Sequence, residues 1–236
     1  MPPAWAERLG IDVGDAPGGY GWLFPKGDHV NLGVCGWRDA GPILRDHLTE
    51  LTRFYGFDPA DLRNLRGHHL PVRAPDAPLV EGNVLLVGDA AGLLDPFTGE
   101  GIYAAVWSGG AAARAIAGHL DGRTPDVRGY ENAVVRELSP DQEVAWLVRD
   151  LFHLSPAVSF TLMSRVPALW PLVCRLVRGE QTYAGAKRAL GPAGLGFDLA
   201  AYLVRATPRL RRRAAIHDPV PPLVVAPAAL REQTAS

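Results

Sequence analysis

The chain has 236 residues, 47% of them hydrophobic, and a formal net charge of −1: enough for one large or two modest globular domains with a real core, and without the cationic excess a nucleic-acid partner would demand. Cys35 and Cys174 stand far apart with no C-x-x-C or paired-histidine spacing, so neither a disulfide framework nor a metal site is expected, and a reducing, cytoplasmic setting fits. The opening "MPPAWAERLG" lacks a basic segment followed by an apolar stretch, and no uninterrupted apolar run approaches the roughly 18 residues of a spanning helix.

Residues 18–37, "GGYGWLFPKGDHVNLGVCGW", alternate with period two. Tyr20, Trp22 and Phe24 share one face and Val30, Leu32 and Val34 another, with "PKGD" as the turn between them, so a β-hairpin of an antiparallel sheet is expected. From Gly41 to Gly56, Leu44, Leu48, Leu51 and Tyr55 recur at helical spacing, and Gly56 is placed as a C-terminal stop. His68 and His69 read as solvated residues flanking a strand edge. "NVLLV", residues 83–87, is a continuous apolar run between glycines, the pattern of a strand covered on both faces. A helix of about five turns then starts near Gly101, with Ile102, Val106, Gly109, Ala113, Ile116 and Leu120 on one stripe. Its run "SGGAAARA" predicts close packing against a neighbour.

Residues 123–206 read as all-helical, with starts at Thr124-Pro125 and Ser139-Pro140 and a capping box between Ser139 and Gln142. The Pro- and Ala-rich closing stretch predicts an extended or disordered tail. The expected organisation is a sheet and helix over 1–75, a strand-loop-helix unit over 76–122, a helical region over 123–213 and the tail over 214–236. The fold class is mixed α+β and α/β.

The stretch "GDAAGLLDPFTGEGIYAA", residues 88–105, carries the candidate chemistry. Taken singly its parts are ordinary: Asp89 reads as a turn or cap residue, Glu100 as an acid favoured by a helix dipole, Gly99 and Gly101 as turn formers. Jointly they place a carboxylate at the carboxyl end of a strand and a glycine-bracketed helix N-terminus one short loop away, which is a ligand crevice.

"VLLVGDAAGLLDPFTGEGIYAA" resembles the second FAD-binding fingerprint of the flavoproteins shaped like para-hydroxybenzoate hydroxylase. "GGYGWLFPKGDHVNLGVCG" resembles the Y-x-W-x-F-P stretch of one branch of that group, the geranylgeranyl reductases. The resemblance, to the C-terminal portion of the family, runs from about residue 10 to residue 120 and more weakly through the helical remainder. It implies part of a glutathione reductase-like FAD-binding fold with an antiparallel substrate sheet. It also implies an FAD-dependent oxidoreductase that saturates isoprenoid carbon–carbon double bonds by hydride transfer from reduced flavin.

Carried over residue by residue, the resemblance makes Gly88, Asp89 and Ala90 the flavin-side turn, with Asp89 accepting a hydrogen bond from a ribityl hydroxyl. Pro96, Phe97 and Thr98 would lie along the flavin, and Gly99, Glu100, Gly101 and Ile102 would bring backbone N–H groups to the pyrimidine edge of the ring. Tyr20, Trp22, Phe24 and Pro25 would wall an isoprenoid pocket, although an aromatic stripe at strand spacing also suits a core. Cys35 reads as a small buried residue, and no proton donor is identified. The run "RLRRR", Arg209–Arg213, is a solvated face that would also suit anionic lipid headgroups and thus peripheral membrane contact.

The chain departs from the family pattern in one respect: it has no strand followed by a G-x-G-x-x-G turn, and "GPAGLG" at 191–196 has the wrong spacing. That departure leaves three readings for the ADP-binding half: a truncated or misassigned reading frame, a half supplied by a separate chain, or a remnant that no longer binds flavin. The other functions consistent with these residues are a flavin monooxygenase or halogenase of the same fold, and a non-catalytic, truncated module that binds lipid or a partner.

Overall fold

The structure, a computed structural model, describes residues 3–13, 16, 18–74, 77–207 and 223–225. In chain order the elements are β1 (Leu9–Val13), β2 (Tyr20–Pro25), β3 (Val30–Val34), α1 (Leu44–Phe54), β4 (Val80–Glu81), β5 (Val84–Leu85), α2 (Ile102–Leu120), α3 (Gly129–Glu137), α4 (Ser139–Leu154), α5 (Pro156–Arg165), α6 (Leu169–Val177), α7 (Tyr183–Ala189), α8 (Ala193–Ala206) and β6 (Leu223–Val225). They fall into two units, one made of Met1–Leu65, Asp150–Cys174 and Tyr202–Ser236, the other of Arg66–Arg149 and Arg175–Ala201.

The first unit is built on an antiparallel sheet of order β3-β2-β1-β6. The expected hairpin forms in the register Gly21↔Val34, Leu23↔Leu32, Pro25↔Val30, and its turn passes through Gly27 at φ +84°. Period-two alternation puts Gly21 and Leu23 on the core face, while Tyr20, Trp22 and Phe24 stand half-buried on the other. α1 covers the core face, where Leu23, Leu51 and Tyr55 form the buried centre, and Gly56 at φ +82° follows the helix as its stop. The approach is close: a Cβ on Gly21 would come within 2.6 Å of Leu51 Cδ2. Leu23 is fully buried, so Leu23→Ala removes about 2–5 kcal/mol. β6 shows that part of the closing stretch is a strand on β1; the rest of it, with the Arg209–Arg213 run, lies outside the described residues.

The second unit packs α2 and α3 around Leu79, Leu93, Ala104, Ala111, Ala112, Tyr130 and Val134. α3 also anchors the short β4–β5 hairpin: Tyr130 donates its phenol proton to Leu86 O at 2.6 Å, and Glu131 Oε1 accepts from Leu79 N at 3.0 Å. The helical reading of 123–206 holds as α3 through α8.

Four local expectations fail for physical reasons. The run 83–87 is not a covered strand: only Val84–Leu85 pair, with β4 alone, and Val84 is 63% exposed beside exposed Leu86 and Val87. Among the described residues no sheet layer flanks it. The α2 stripe from Ile102 to Leu120 faces outward, with Ile102 78% exposed, while Ala104, Ser108, Ala111 and Ala112 face the core. A helix that is apolar all round carries no periodic signal for which side will be buried. The Ser139–Gln142 box does not form, because α3 runs into α4 across Leu138 alone and Gln142 spends its side-chain amide on Leu93 O, at 2.9 Å. Nor does a helix start at Thr124, whose hydroxyl instead donates to Asp126 O within a turn, and α3 begins at Gly129.

Candidate functional site

The second unit brings the two ends of the 88–105 stretch together. After extended Val87 the chain turns sharply at Gly88, φ +53°, through a short 3-10 turn, Gly88–Ala91, that closes on Gly92 at φ +65°. Both glycines are required by crowding as well as by conformation. A Cβ on Gly88 would reach Ala105 Cβ at 3.0 Å, and one on Gly92 would reach Arg73 N at 2.6 Å. Gly88 N donates to Ser108 Oγ of α2 at 3.0 Å, which ties the turn to the helix.

The turn leaves Asp89 and Ala90 exposed. Asp89 aims its carboxylate at the start of α2: a Cβ on Gly101, the residue that caps this helix, would lie 2.7 Å from Asp89 Oδ1. A carboxylate that only accepts hydrogen bonds thus stands beside the positively polarised end of a 19-residue helix. Glu100 adds to that end in the ordinary way, its Oε1 accepting from Tyr103 N at 3.0 Å.

The loop between turn and helix is organised by Asp95, which sequence reasoning did not single out. Its Oδ1 accepts from Phe97 N at 2.7 Å and Thr98 N at 2.8 Å, and its backbone N–H donates to Glu100 O at 2.7 Å. Pro96, Phe97 and Thr98 are half-buried, whereas Gly99, at φ +73°, and Glu100 are exposed. Ile102 projects into solvent.

Behind the loop, α4 and α7 hold it in place. Gln142 bonds Leu93 O, Phe97 packs against Val144, Ala145 and Tyr183, and the Tyr183 phenol bonds Asp95. Burial, with the nearby Asp95 and Asp141 carboxylates, pushes the Tyr183 phenol well above its usual range. Asp141 accepts from Ala184 N at 2.8 Å, and burial, reinforced by Asp95, raises its carboxyl. The local signal for Asp95 was the D-P-x-T turn sequence; the α4 and α7 residues that brace the loop from behind sit some 45–90 residues away and left no local trace.

In the first unit Tyr20, Trp22 and Phe24 form a ladder on the outer face of β2, with ring centroids 5.9 and 6.3 Å apart, and Pro25 ends the strand. The Trp22 indole lies over Gly33, where any Cβ would collide with it, and its Nε1–H donates to Asn31 Oδ1 at 2.7 Å. The aromatic stripe is thus not the core of this sheet. Cys35 is half-buried, its thiol donating to Tyr20 O at 3.5 Å and pushed up by burial. His68 and His69 are exposed. Among the described residues no three His, Cys, Asp or Glu side chains converge on a metal position.

Over 162 residues the chain is 35% identical to the chloroplastic geranylgeranyl diphosphate reductase of Oryza sativa subsp. japonica, a match covering 65% of this chain and 35% of that protein. Over 111 residues it is 41% identical to the digeranylgeranylglycerophospholipid reductase of Methanospirillum hungatei, covering 45% of this chain and 27% of that one. The matched stretch is homologous to the geranylgeranyl reductases. A crystal structure of a geranylgeranyl bacteriochlorophyll reductase-like protein from Thermoplasma acidophilum shares the fold, with a TM-score of 0.52 at 22% identity over 61% of this chain and 41% of that one. The chain spans well under half the length of the curated reductases it matches. No protein-family model matches it.

Proposed function

We propose that this geranylgeranyl reductase homologue is the flavin-side portion of an FAD-dependent reductase of isoprenoid carbon–carbon double bonds. The observation that carries the reading is the meeting of Asp89 with the α2 N-terminus across Gly101. These residues fit the group: the carboxylate offers only acceptors to the ribityl hydroxyls, and the missing Cβ at Gly101 leaves that carboxylate its place at the helix tip. Bound there, reduced flavin supplies the hydride for the double bond.

The chain's own residues bind and orient. Asp89 holds the sugar-alcohol linker, and the α2 tip, through its dipole, favours negative charge at the pyrimidine edge. Gly88 and Ala90 keep the turn narrow. Pro96, Thr98 and Gly99 shape the wall along the ring, while Glu100 and Ile102 frame the tip. Tyr20, Trp22, Phe24 and Pro25 supply an apolar, aromatic surface suited to a prenyl chain, which offers almost no hydrogen-bonding groups.

These 236 residues contain no G-x-G-x-x-G turn, so the adenosine end is held by polypeptide outside them. The exposed apolar face of β5 and α2, with Val84, Leu86, Val87, Ile102 and Val106, supports this, since a face of that kind is covered in a working assembly. The test is to purify the chain, add FAD in excess and record the visible spectrum. A perturbed flavin band that is lost in Asp89→Ala is the expected result, and an unperturbed spectrum removes the reading. Oxygen consumption with an aromatic substrate, in place of alkene saturation by a flavin-loaded assembly, would move the assignment to a monooxygenase.

A further inference from the structure

We infer that Tyr183, at the start of α7, is a positioning residue of the flavin site: acting through Asp95, it holds the 96–101 segment where its backbone N–H groups favour reduced over oxidised flavin. The inference rests on the flavin reading above, and it gives a part in that site to helices that carry no residue of the 88–105 stretch.

The loop moves as one piece. Asp95 N donates to Glu100 O at 2.7 Å, Gly99 N donates to Asp95 O at 2.9 Å, and Phe97 N and Thr98 N donate to Asp95 Oδ1 at 2.7 and 2.8 Å. With its hydrogen bonds centred on one residue, a displacement of Asp95 carries Pro96 to Glu100 with it, and with them Gly101, the cap of α2 that faces Asp89.

What fixes Asp95 lies behind it. The Tyr183 phenol donates to the Asp95 carboxylate, and the Tyr183 ring packs in one cluster with Phe97, Val144 and Ala145. A phenylalanine would fill that space as well, so the buried hydroxyl serves direction and not packing. Burial and the acidic neighbours keep the phenol protonated, so it is always a donor. Tyr183 is itself held: Asp141 Oδ1 of α4 accepts from Ala184 N at 2.8 Å, and Thr182 Oγ1 accepts from Gly185 N at 3.0 Å at the start of α7. A chain of contacts thus runs from α4 and α7 through Asp95 to the α2 tip. Reduced flavin carries negative charge at its pyrimidine edge, and N–H groups at a helix tip stabilise that charge only while they are held in place. Loosening the loop should therefore weaken the reduced form more than the oxidised one.

The test is to titrate the purified full chain with oxidised FMN and, without oxygen, with dithionite-reduced FMN, and to take the ratio of the two dissociation constants; urea unfolding of each variant checks its fold. Tyr183→Phe keeps the ring and its packing, and is expected to lower the preference for the reduced form about tenfold, a fall of about 30 mV in the two-electron potential of the bound flavin. Asp95→Asn leaves an oxygen for the Phe97 and Thr98 amides but takes the charge from the Tyr183 bond, and is expected to lower the preference about threefold. The double variant should fall no further than Tyr183→Phe, since both changes act through one bond. Asp198→Asn, which weakens the Lys187–Asp198 pair between α7 and α8, leaves the preference unchanged. The inference is overturned if Tyr183→Phe loses stability while the ratio stays at the wild-type value, if it weakens both forms equally, or if the effects of the two substitutions add. Where the wild type binds FMN and Asp89→Asn weakens that binding, each of these results sinks the positioning role alone; where the wild type binds neither form, the flavin reading itself falls and takes this inference with it.

Discussion

Replacing Gly101 with alanine separates binding from folding at this site. Gly101 has φ −131° and ψ −10°, a conformation open to any residue, and the added methyl would meet Asp89 Oδ1 at 2.7 Å and Leu94 Cβ at 3.6 Å. Carbon–oxygen contacts settle near about 3.4 Å, so the carboxylate must withdraw by about 0.7 Å. Asp89 is exposed and its oxygen is the free end of a side chain, so the movement costs little, and stability should change by no more than about 1 kcal/mol, the scale of alanine for glycine at a helix cap. A hydrogen bond to flavin tolerates that displacement poorly, and affinity should fall about tenfold, the lower end of what a charge-assisted bond contributes at an exposed position. Gly92→Ala is the contrast. At φ +65° its methyl would strike the Arg73 backbone N at 2.6 Å, so it should cost about 1–3 kcal/mol of stability. Urea unfolding and flavin titration on both variants decide the matter. If Gly101→Ala binds flavin as tightly as the wild type, or loses as much stability as Gly92→Ala, the geometry assigned to Asp89 is wrong.

Other substitutions test the supporting structure. The Tyr55 hydroxyl is buried without a partner among the described residues, so Tyr55→Phe should stabilise the chain by about 1 kcal/mol in urea unfolding at neutral pH; a loss of stability would show that the hydroxyl is satisfied. Burial, helped by the charge of Asp12, pushes the Tyr55 phenol up to about 12 from an ordinary 10. The unfolded chain therefore ionises first, and wild-type stability, unaffected by this group below pH 10, falls further as pH rises from 10 towards 12, a loss absent in the phenylalanine variant. The Asp141 carboxyl is raised above 3.8 chiefly by burial, so the native state holds its proton more tightly than the unfolded chain. Asp141→Asn should accordingly gain stability relative to wild type as pH rises above 3.8, and a constant difference between the two would refute that origin. Tyr183→Phe removes the phenol that bonds Asp95, and hydrogen exchange at the Phe97 and Thr98 amides should accelerate; unchanged protection would mean that Asp95 holds the loop unaided.

What could be read from the sequence follows the range of the forces involved. The β2–β3 hairpin and α1 were legible because alternation, Gly27 and Gly56 act within a few residues. The nearness of Asp89 and Gly101 was legible because a strand end, a short loop and a helix start leave few ways to connect. Which face of α2 is buried was not legible, since Ile102 and Ala104 are both apolar and only packing against Tyr130 and Val134 chooses between them. The bracing of the loop by Gln142 and Tyr183 was hidden for the same reason: those contacts close over some 50 to 90 residues, and Gln142 carried a stronger local reading as half of a capping box. The aromatic ladder was correctly placed on one face of β2, but only the position of α1 shows that this face is not the sheet's core.

The claim that Asp89 and the α2 tip grip the linker and ring, with the adenosine end left to other polypeptide, is tested most directly by comparing FMN and FAD titrations of the purified chain and its Asp89→Asn variant. The account predicts wild-type dissociation constants for FMN and FAD within about threefold of each other, and a weakening of both by about tenfold in the variant. A chain that binds FAD far more tightly than FMN, or a variant that binds either ligand as well as the wild type, would contradict it.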